Sequence, residues 1–132
     1  MIKNPKHGWC DFELGNFRGT ASYLTDVPID LLDAFIDYYT KGHGVVVFDE
    51  EGSYFTLVLT RYNNGIFVIE ERDFVAINDF SSKNPDDLAK ELISDLENDL
   101  KRWAVEFTFD DIEEHKHEIS QKIAKLQQLI EG

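Results

Sequence analysis

Four aspartates at helical spacing form the clearest pattern of side chains that could bind a ligand or a partner. They are Asp26, Asp30, Asp33 and Asp37. Separations of four, three and four residues place these carboxylates on one face of a predicted helix, opposite an apolar stripe. No Lys or Arg lies between positions 18 and 41, although surface helices usually mix both signs of charge. The pattern is typical either of a solvated helix face or of an acidic contact surface for a basic partner.

Two acidic clusters follow, each close to a predicted turn or strand end. The first cluster is Asp49, Glu50 and Glu51, and the second cluster is Glu70, Glu71 and Asp73. A calcium-binding loop needs alternating oxygen ligands around a glycine and a closing Glu at its twelfth position, and the residues after Asp49 do not follow that pattern. Polar side chains often decorate turns. Both clusters are therefore typical of ordinary turn residues. The alternative is that both clusters bind a partner.

The other candidate residues give no signature of catalysis or of cofactor binding. His115 and His117 stand two positions apart, so on a helix their side chains point about 200° apart and cannot share one metal ion. Cys10 has no recognisable activating neighbour and is expected to be a small buried residue. The glycines form no phosphate-binding loop. We therefore predict no catalytic residue, no metal site and no cofactor, and we predict that the chain is not an enzyme.

An excess of acidic residues limits the kinds of partner. Asp and Glu number 26 against 13 Lys and Arg, which gives a formal net charge of −13 over 132 residues. Such a charge repels nucleic-acid phosphates and anionic membranes, and it attracts basic proteins. No apolar run is long enough to span a membrane, no signal peptide is recognisable, and a single Cys favours a reducing compartment. We expect a cytoplasmic protein that binds neither nucleic acid nor membrane.

The first part of the chain is predicted to form a hairpin followed by a helix. Strands over residues 9–14 and 17–24 are joined by a tight turn, and small residues such as Gly19 predict close packing over one face. Asp26 and Pro28 are typical of a helix start, as cap and first-turn residue. The helix ends at a glycine pair and leads into the central part of the chain.

An antiparallel meander is predicted next, followed by two helices. Its strands cover residues 45–48, 54–61, 66–69 and 74–77, the last resuming the third strand after a bulge. The helices are predicted over 85–104 and 110–131, with an extended connector that includes Val105, Phe107 and Phe109. The last helix carries a packing seam, Ile119, Ile123, Leu126 and Ile130, through which a homodimer could form.

This order of elements predicts an α+β fold. Strands and helices do not alternate at the regular intervals that a parallel sheet requires. We therefore expect one antiparallel sheet of five to six strands, with about three helices packed mainly on one face. We expect residues 1–132 to form a single domain.

Two stretches resemble a group of small uncharacterised bacterial proteins. They are Ala21-Ser-Tyr-Leu-Thr-Asp-Val-Pro-Ile-Asp-Leu-Leu32 and Val47-Phe-Asp-Glu-Glu-Gly52. In that group a strand leads into a helix start of this type, followed by a meander with an acid-acid-Gly turn. The resemblance covers about residues 10–75 and implies a fold but no activity. In size, acidity and mixture of strands and helices, the chain also resembles immunity proteins of bacterial toxin systems.

Two functional hypotheses follow from these features. The first is a non-enzymatic acidic domain that binds a basic protein, and an immunity protein that neutralises a basic toxin is its most concrete version. Its contact residues would be the four helix aspartates and the two acidic clusters. The alternative is a small ligand-binding domain or an enzyme of unknown reaction, with a pocket between sheet and helices. Aromatic residues available to line it are Trp9, Phe12, Tyr23, Phe55, Tyr62 and Trp103.

Overall fold

The chain folds as α+β, with two antiparallel sheets and four α-helices among the residues that the computed structural model describes, 1–108 and 110–132. The first sheet contains β1 (Ile2–Lys6), β2 (Trp9–Leu14) and β3 (Phe17–Ser22). The second sheet contains β4 (His43–Asp49), β5 (Tyr54–Thr60), β6 (Gly65–Glu71) and β7 (Val75–Asp79). The helices are α1 (Val27–Lys41), α2 (Pro85–Glu97), α3 (Leu100–Glu106) and α4 (Ile112–Glu131).

The strands form two sheets, so the prediction of a single sheet with five to six strands is wrong. The chain passes from β3 through α1 to β4, and no ladder joins β3 to β4 in the described part of the chain. The sheets meet through buried aromatic rings instead. The ring centroids of Phe12 and Phe48 lie 4.8 Å apart, and those of Phe17 and Phe55 lie 5.2 Å apart. Hydrogen bonds hold each sheet internally, whereas aromatic burial holds the two sheets together.

Phe55 of β5 packs directly over Gly19 of β3. A Cβ atom at position 19 would lie only 2.6 Å from Cε1 of Phe55. Ala21, two residues further along the same face, is fully buried. The prediction of close packing over this face of the hairpin is therefore confirmed.

Helix α1 lies between the second sheet and α4. It begins as predicted, because Asp26 accepts a hydrogen bond from the amide N–H of Ile29 and a proline stands in the first turn. Its contact with β4 is so close that a Cβ atom at Gly44 would lie 1.9 Å from the carbonyl oxygen of Ala34. Because α1 is covered on two sides, all four of its aspartates are partly buried rather than fully solvated.

The predicted helix over residues 85–104 is divided in two, which gives four helices instead of about three. α2 begins at the expected cap, Asn84, but it stops before the predicted end. Asp99 has φ −152° and ψ 51°, outside the helical region, and Asp side chains compete for helical backbone bonds. The break allows α3 to lie against β1. It also lets the indole N–H of Trp103 donate to the carbonyl oxygen of Asp95 at 3.1 Å.

The predicted extended connector differs from the structure. Val105 belongs to α3, and Phe107 is buried in the turn that follows it. Phe109 lies outside the described residues. Helix α4 begins at Ile112 with Asp111 as its N-cap, close to the predicted start.

The packing seam of α4 is largely occupied within the chain. Ile119, Ile123 and Leu126 are buried, and α4 contacts each of the other three helices. Ile130 is partly buried against the same core. Dimerisation through this helix stays a prediction, and a second copy would have to use residues around this buried seam.

Candidate partner-binding surface

On the face of the second sheet that points away from α1, three rows of side chains cross all four strands and are here called the outer sheet face. A shorter row of His43, Thr60 and Gly65 lies beside them. Opposite residues in an antiparallel ladder share a face, so the strand registers define these rows. The middle row is Val47, Thr56, Ile69 and Ile77, and the flanking rows are Val45, Val58, Phe67 and Asp79, and Asp49, Tyr54, Glu71 and Val75. Apolar side chains thus dominate the middle row, and carboxylates lie in the two flanking rows.

Several apolar residues of the outer sheet face are strongly exposed to solvent. The exposed fractions of the Val75, Ile77 and Val45 residues are 73%, 68% and 53%. Phe74, in the turn before β7, is also exposed. None of the residues in the three rows is Lys or Arg. Apolar groups that are exposed together and rimmed by polar groups are typical of protein-binding surfaces.

The two acidic clusters lie side by side at one end of the second sheet. The ladder between β5 and β6 places Glu71 opposite Tyr54, next to the turn that carries the first cluster. Arg72 joins the clusters, since its guanidinium donates to Glu50 at 3.0 Å and to Glu70 at 3.1 Å. Folding thus brings together two groups that are well separated in sequence.

Arg72 neutralises only part of this acidic surface. The side chains of Glu50 and Glu70 are largely covered, and Arg72 also lies 5.5 Å from the ring centroid of Phe17. The other carboxylates of the two clusters are Asp49, Glu51, Glu71 and Asp73. None of these four forms an ion pair with another described residue. They leave negative charge beside the outer sheet face.

The four helix aspartates have a different environment, because three of them already have a basic partner. The pairs are Lys122 with Asp33 at 2.7 Å, Lys41 with Asp37 at 3.3 Å and His115 with Asp26 at 2.7 Å. Lys122 and His115 both belong to α4, so this face of α1 is turned toward another helix. Much of its charge is therefore balanced within the chain. The assignment of the four helix aspartates to a partner-binding surface stays a prediction.

Asp30 is the helix aspartate without a basic partner among the described residues. Burial, followed by repulsion from Asp26 and Asp33, raises the pKa of the Asp30 carboxyl from the ordinary 3.8 to about 6. The folded chain therefore holds a proton at Asp30 more tightly than the unfolded chain does. Ionised Asp30 opposes folding, and its contribution to stability falls as the pH rises through about 6.

Asp30→Asn is accordingly expected to raise the free energy of unfolding at pH 7 by about 1 kcal/mol. The pKa difference would correspond to about 3 kcal/mol, and solvent screening of a partly exposed group reduces that value. The gain should vanish below about pH 4, where Asp30 is protonated in both states. Urea unfolding at both pH values measures the effect. Asp33→Asn is the matched control and should not stabilise, because it removes the Lys122 pair; no gain from Asp30→Asn at pH 7 would contradict the prediction.

His115 ties α4 to the start of α1. It is buried, with Nδ1 2.9 Å from the carbonyl oxygen of Ala104 and Nε2 2.7 Å from Oδ2 of Asp26. A carbonyl oxygen only accepts, so Nδ1 carries a hydrogen, and the short contact on the other side requires one proton between Nε2 and Oδ2. Burial raises the pKa of Asp26 even though the imidazole and the Ile29 N–H both lower it. The pair is therefore a partly buried hydrogen-bonded link between α4 and the start of α1.

Cys10 is buried, as predicted, with 1% of its surface exposed. Burial, followed by repulsion from Asp11, raises the pKa of its thiol to about 12. Almost no thiolate exists at neutral pH, and the thiolate is the nucleophilic form. Cys10 is therefore a packing residue of the first sheet.

The alternative of a ligand pocket lined by aromatic residues finds little support. Phe12, Phe55 and Trp103 are each no more than 1% exposed, so they offer almost no surface to a ligand. A cavity of about 510 Å³ lies between β1, α2 and α3, and polar and charged residues line most of it. Within residues 1–108 and 110–132, no group of three or more His, Cys, Asp or Glu could hold a metal ion. No helix in the same residues has the length and apolar character needed to cross a bilayer.

No protein-family model matches the chain, and no curated protein or solved structure is significantly similar to it. The outer sheet face and its carboxylates are therefore the features from which a function can be inferred. The two acidic clusters could be found in the sequence, but the outer sheet face beside them was missed. The available signal was the continuous apolar run at 45–48, because a strand that is apolar on both sides needs a covering on both sides.

Proposed function

We propose that this chain is a non-enzymatic domain that binds a basic protein through the outer sheet face and the free carboxylates beside it. The observation that carries the proposal is the combination of exposed apolar rows with unpaired acids and no Lys or Arg. Burial of the apolar rows would supply affinity. The carboxylates would accelerate association with a positively charged partner and disfavour acidic proteins.

An immunity protein that neutralises a nuclease-like bacterial toxin in the cytoplasm is the most concrete form of this proposal. The substrate-binding surface of a nuclease is basic because it holds phosphates. A chain with a net charge of −13 meets such a surface with electrostatically steered association. Such an inhibitor needs no catalytic residue of its own, only a complementary surface.

The helix aspartates are a secondary contact in this proposal. Asp33 and Asp37 would have to exchange Lys122 and Lys41 for cations of the partner. Ion pairs at an exposed surface contribute little, so that exchange costs little. The first contact would still form at the acidic clusters, where four carboxylates form no ion pair with a described residue that would have to be exchanged.

Affinity capture from a lysate of the source organism, with matched charge variants, tests the proposal. A basic protein should be retained at about 0.1 M salt and released at about 1 M salt, because salt screens charge steering. The double variant Glu71→Lys with Asp73→Lys should lose at least about tenfold in affinity for that protein, a factor that corresponds to about 1.4 kcal/mol. Its control is Glu97→Lys with Glu131→Lys, which makes the same charge change on exposed residues of α2 and α4.

Two results would overturn the proposal. One is a specific partner that is acidic or that binds equally well at both salt concentrations. The other is an equal loss of affinity in both double variants, because that would show a dependence on net charge alone and not on the outer sheet face. Purified partner and chain, titrated by calorimetry, give the affinities directly.

A further inference from the structure

Strand β7 is an edge strand with a defined set of free backbone groups. It pairs only with β6 in the described part of the chain. The amide N–H of Phe80 donates to the carbonyl oxygen of Ile66 at 2.7 Å, and that of Arg72 donates to Phe74 at 3.1 Å. Hydrogen-bonded and non-hydrogen-bonded pairs alternate along an antiparallel ladder. The even-numbered residues of β7 therefore bond to β6, and the odd-numbered ones direct N–H and C=O outward.

The outward-directed residues of β7 are also the exposed ones. They are Val75, Ile77 and Asp79. Their backbone N–H and C=O groups have no partner strand among the described residues and point to the open side of β7, here called the free edge of β7. Proteins commonly protect such an edge with a lysine or a proline in the strand, and β7 contains neither.

The charge around the free edge selects the kind of strand that could pair there. Asp73 precedes β7, Asp79 ends it, and Glu71 faces Val75 across the ladder with β6. Arg72, in the turn between β6 and β7, is held by Glu50 and Glu70. An incoming strand would therefore meet carboxylates near both ends. A second copy of the chain would bring the same acids and the same net charge of −13, so like charges oppose self-pairing.

We infer that the free edge of β7 accepts an extended segment of the partner that places apolar side chains, followed at each end by Lys or Arg, on the outer sheet face. The segment would continue the second sheet as a fifth strand, with backbone hydrogen bonds to Val75, Ile77 and Asp79. Its apolar side chains would lie beside Val75 and Ile77 on the outer sheet face, and its terminal basic side chains, on the same face, would lie beside Asp79 at one end of β7 and near Asp73 at the other. The basic character of the partner rests on the proposed function, whereas the pairing edge follows from the ladder.

Hydrogen exchange with a defined peptide tests the inference on the full chain. The probe is a blocked peptide of about nine residues, Lys-Ser-Val-Ser-Val-Ser-Val-Ser-Lys, which places Lys and Val on one face of a strand and is here called the Val-Lys peptide. The control, here called the Val-Glu peptide, has Glu in place of both Lys residues. The Val-Lys peptide should bind saturably and slow exchange at the amides of Val75, Ile77 and Asp79 by at least about tenfold. The Val-Glu peptide should not.

Two variants at one position separate backbone pairing from side-chain contact. Ile77→Pro removes an outward N–H without removing a bond to β6, and it should weaken Val-Lys binding at least about tenfold. Ile77→Thr keeps the N–H and should bind within about threefold of the unchanged chain. Protection of Ala76 and Asn78 reports whether the ladder remains intact in each variant. If the proline variant fails to fold, the exchange pattern of the unchanged chain decides alone.

Absence of binding, binding without slowed exchange at the three amides, or equal binding by a folded Ile77→Pro variant would overturn the inference. These outcomes differ from failure of the proposed function. If the Ile77→Pro variant still captures a basic partner, the result supports the proposed function and contradicts the pairing at the free edge of β7. If the Val-Lys peptide pairs with β7 but no basic partner is captured, the result supports pairing at the free edge of β7 and contradicts the proposed function.

Discussion

Gly44→Ala is expected to lower the free energy of unfolding by about 3 kcal/mol. An added Cβ atom would lie 1.9 Å from the carbonyl oxygen of Ala34, and backbone atoms of a packed helix cannot rotate away as a side chain can. Helix α1 and strand β4 would have to separate, which opens the contact between them along its length. Urea unfolding of the variant, followed by far-UV circular dichroism, measures the loss.

Two further substitutions calibrate this expectation. Gly19→Ala meets the ring of Phe55 at 2.6 Å, which is a side chain, and should cost less than Gly44→Ala. Val45→Thr keeps a branched side chain on the exposed neighbour of Gly44 and should change stability by no more than about 0.5 kcal/mol. A Gly44→Ala variant as stable as the Val45→Thr variant would show that α1 does not press on β4 as described.

His115→Leu is expected to cost about 3 kcal/mol of unfolding free energy at pH 7. The substitution removes the imidazole partner of the partly buried Asp26 carboxylate, which keeps only the Ile29 N–H, and it leaves the Ala104 carbonyl without its donor. Removing one member of a buried pair is costly because the other charge stays buried and uncompensated. Thermal and urea unfolding both report this loss.

Asp26→Asn is the matched control for the His115 substitution. Its amide oxygen can still cap α1 by accepting from Ile29, and its amide N–H can donate to a neutral imidazole. We expect Asp26→Asn to lower the free energy of unfolding by less than about 1 kcal/mol. We also expect His115→Leu to cost less in the Asp26→Asn variant than in the unchanged chain. Equal costs of His115→Leu in the two backgrounds would show that the pair is not coupled.

The elements that depend on local signals could be predicted from the sequence. The first hairpin, the meander and the caps at Asp26 and Asn84 all appear where turn residues, alternation and capping side chains place them. Each of these signals acts over a few residues. Such signals do not depend on which other part of the chain packs nearby.

The features that depend on tertiary contacts could not be predicted in this way. Strand β1 was missed because Asn4 and Pro5 interrupt its pattern, although its pairing with β2 still forms. Strand β7 was expected to resume β6 after a bulge, but a turn at Arg72 reverses the chain and makes β7 a separate strand. The division into two sheets follows from the aromatic contacts between them, which no local pattern specifies.

The acidic residues show the same division. Their grouping into two clusters was visible in the sequence, because turn residues and strand ends are local features. The sequence did not indicate which carboxylates lack an ion pair, because this depends on the position of Arg72 and on the face to which each side chain points. The link between Asp26 and His115 spans 89 positions, so only the fold can bring these residues together.

The burial of Cys10 has a practical consequence for mapping the partner. It is the only cysteine of the chain, and its thiol is shielded from maleimide reagents. A cysteine introduced at an exposed position such as Asp73 would therefore be the one fast-reacting thiol, with no need to delete the native residue. Fluorophores or photo-activated cross-linkers could then be attached at single chosen points around the second sheet.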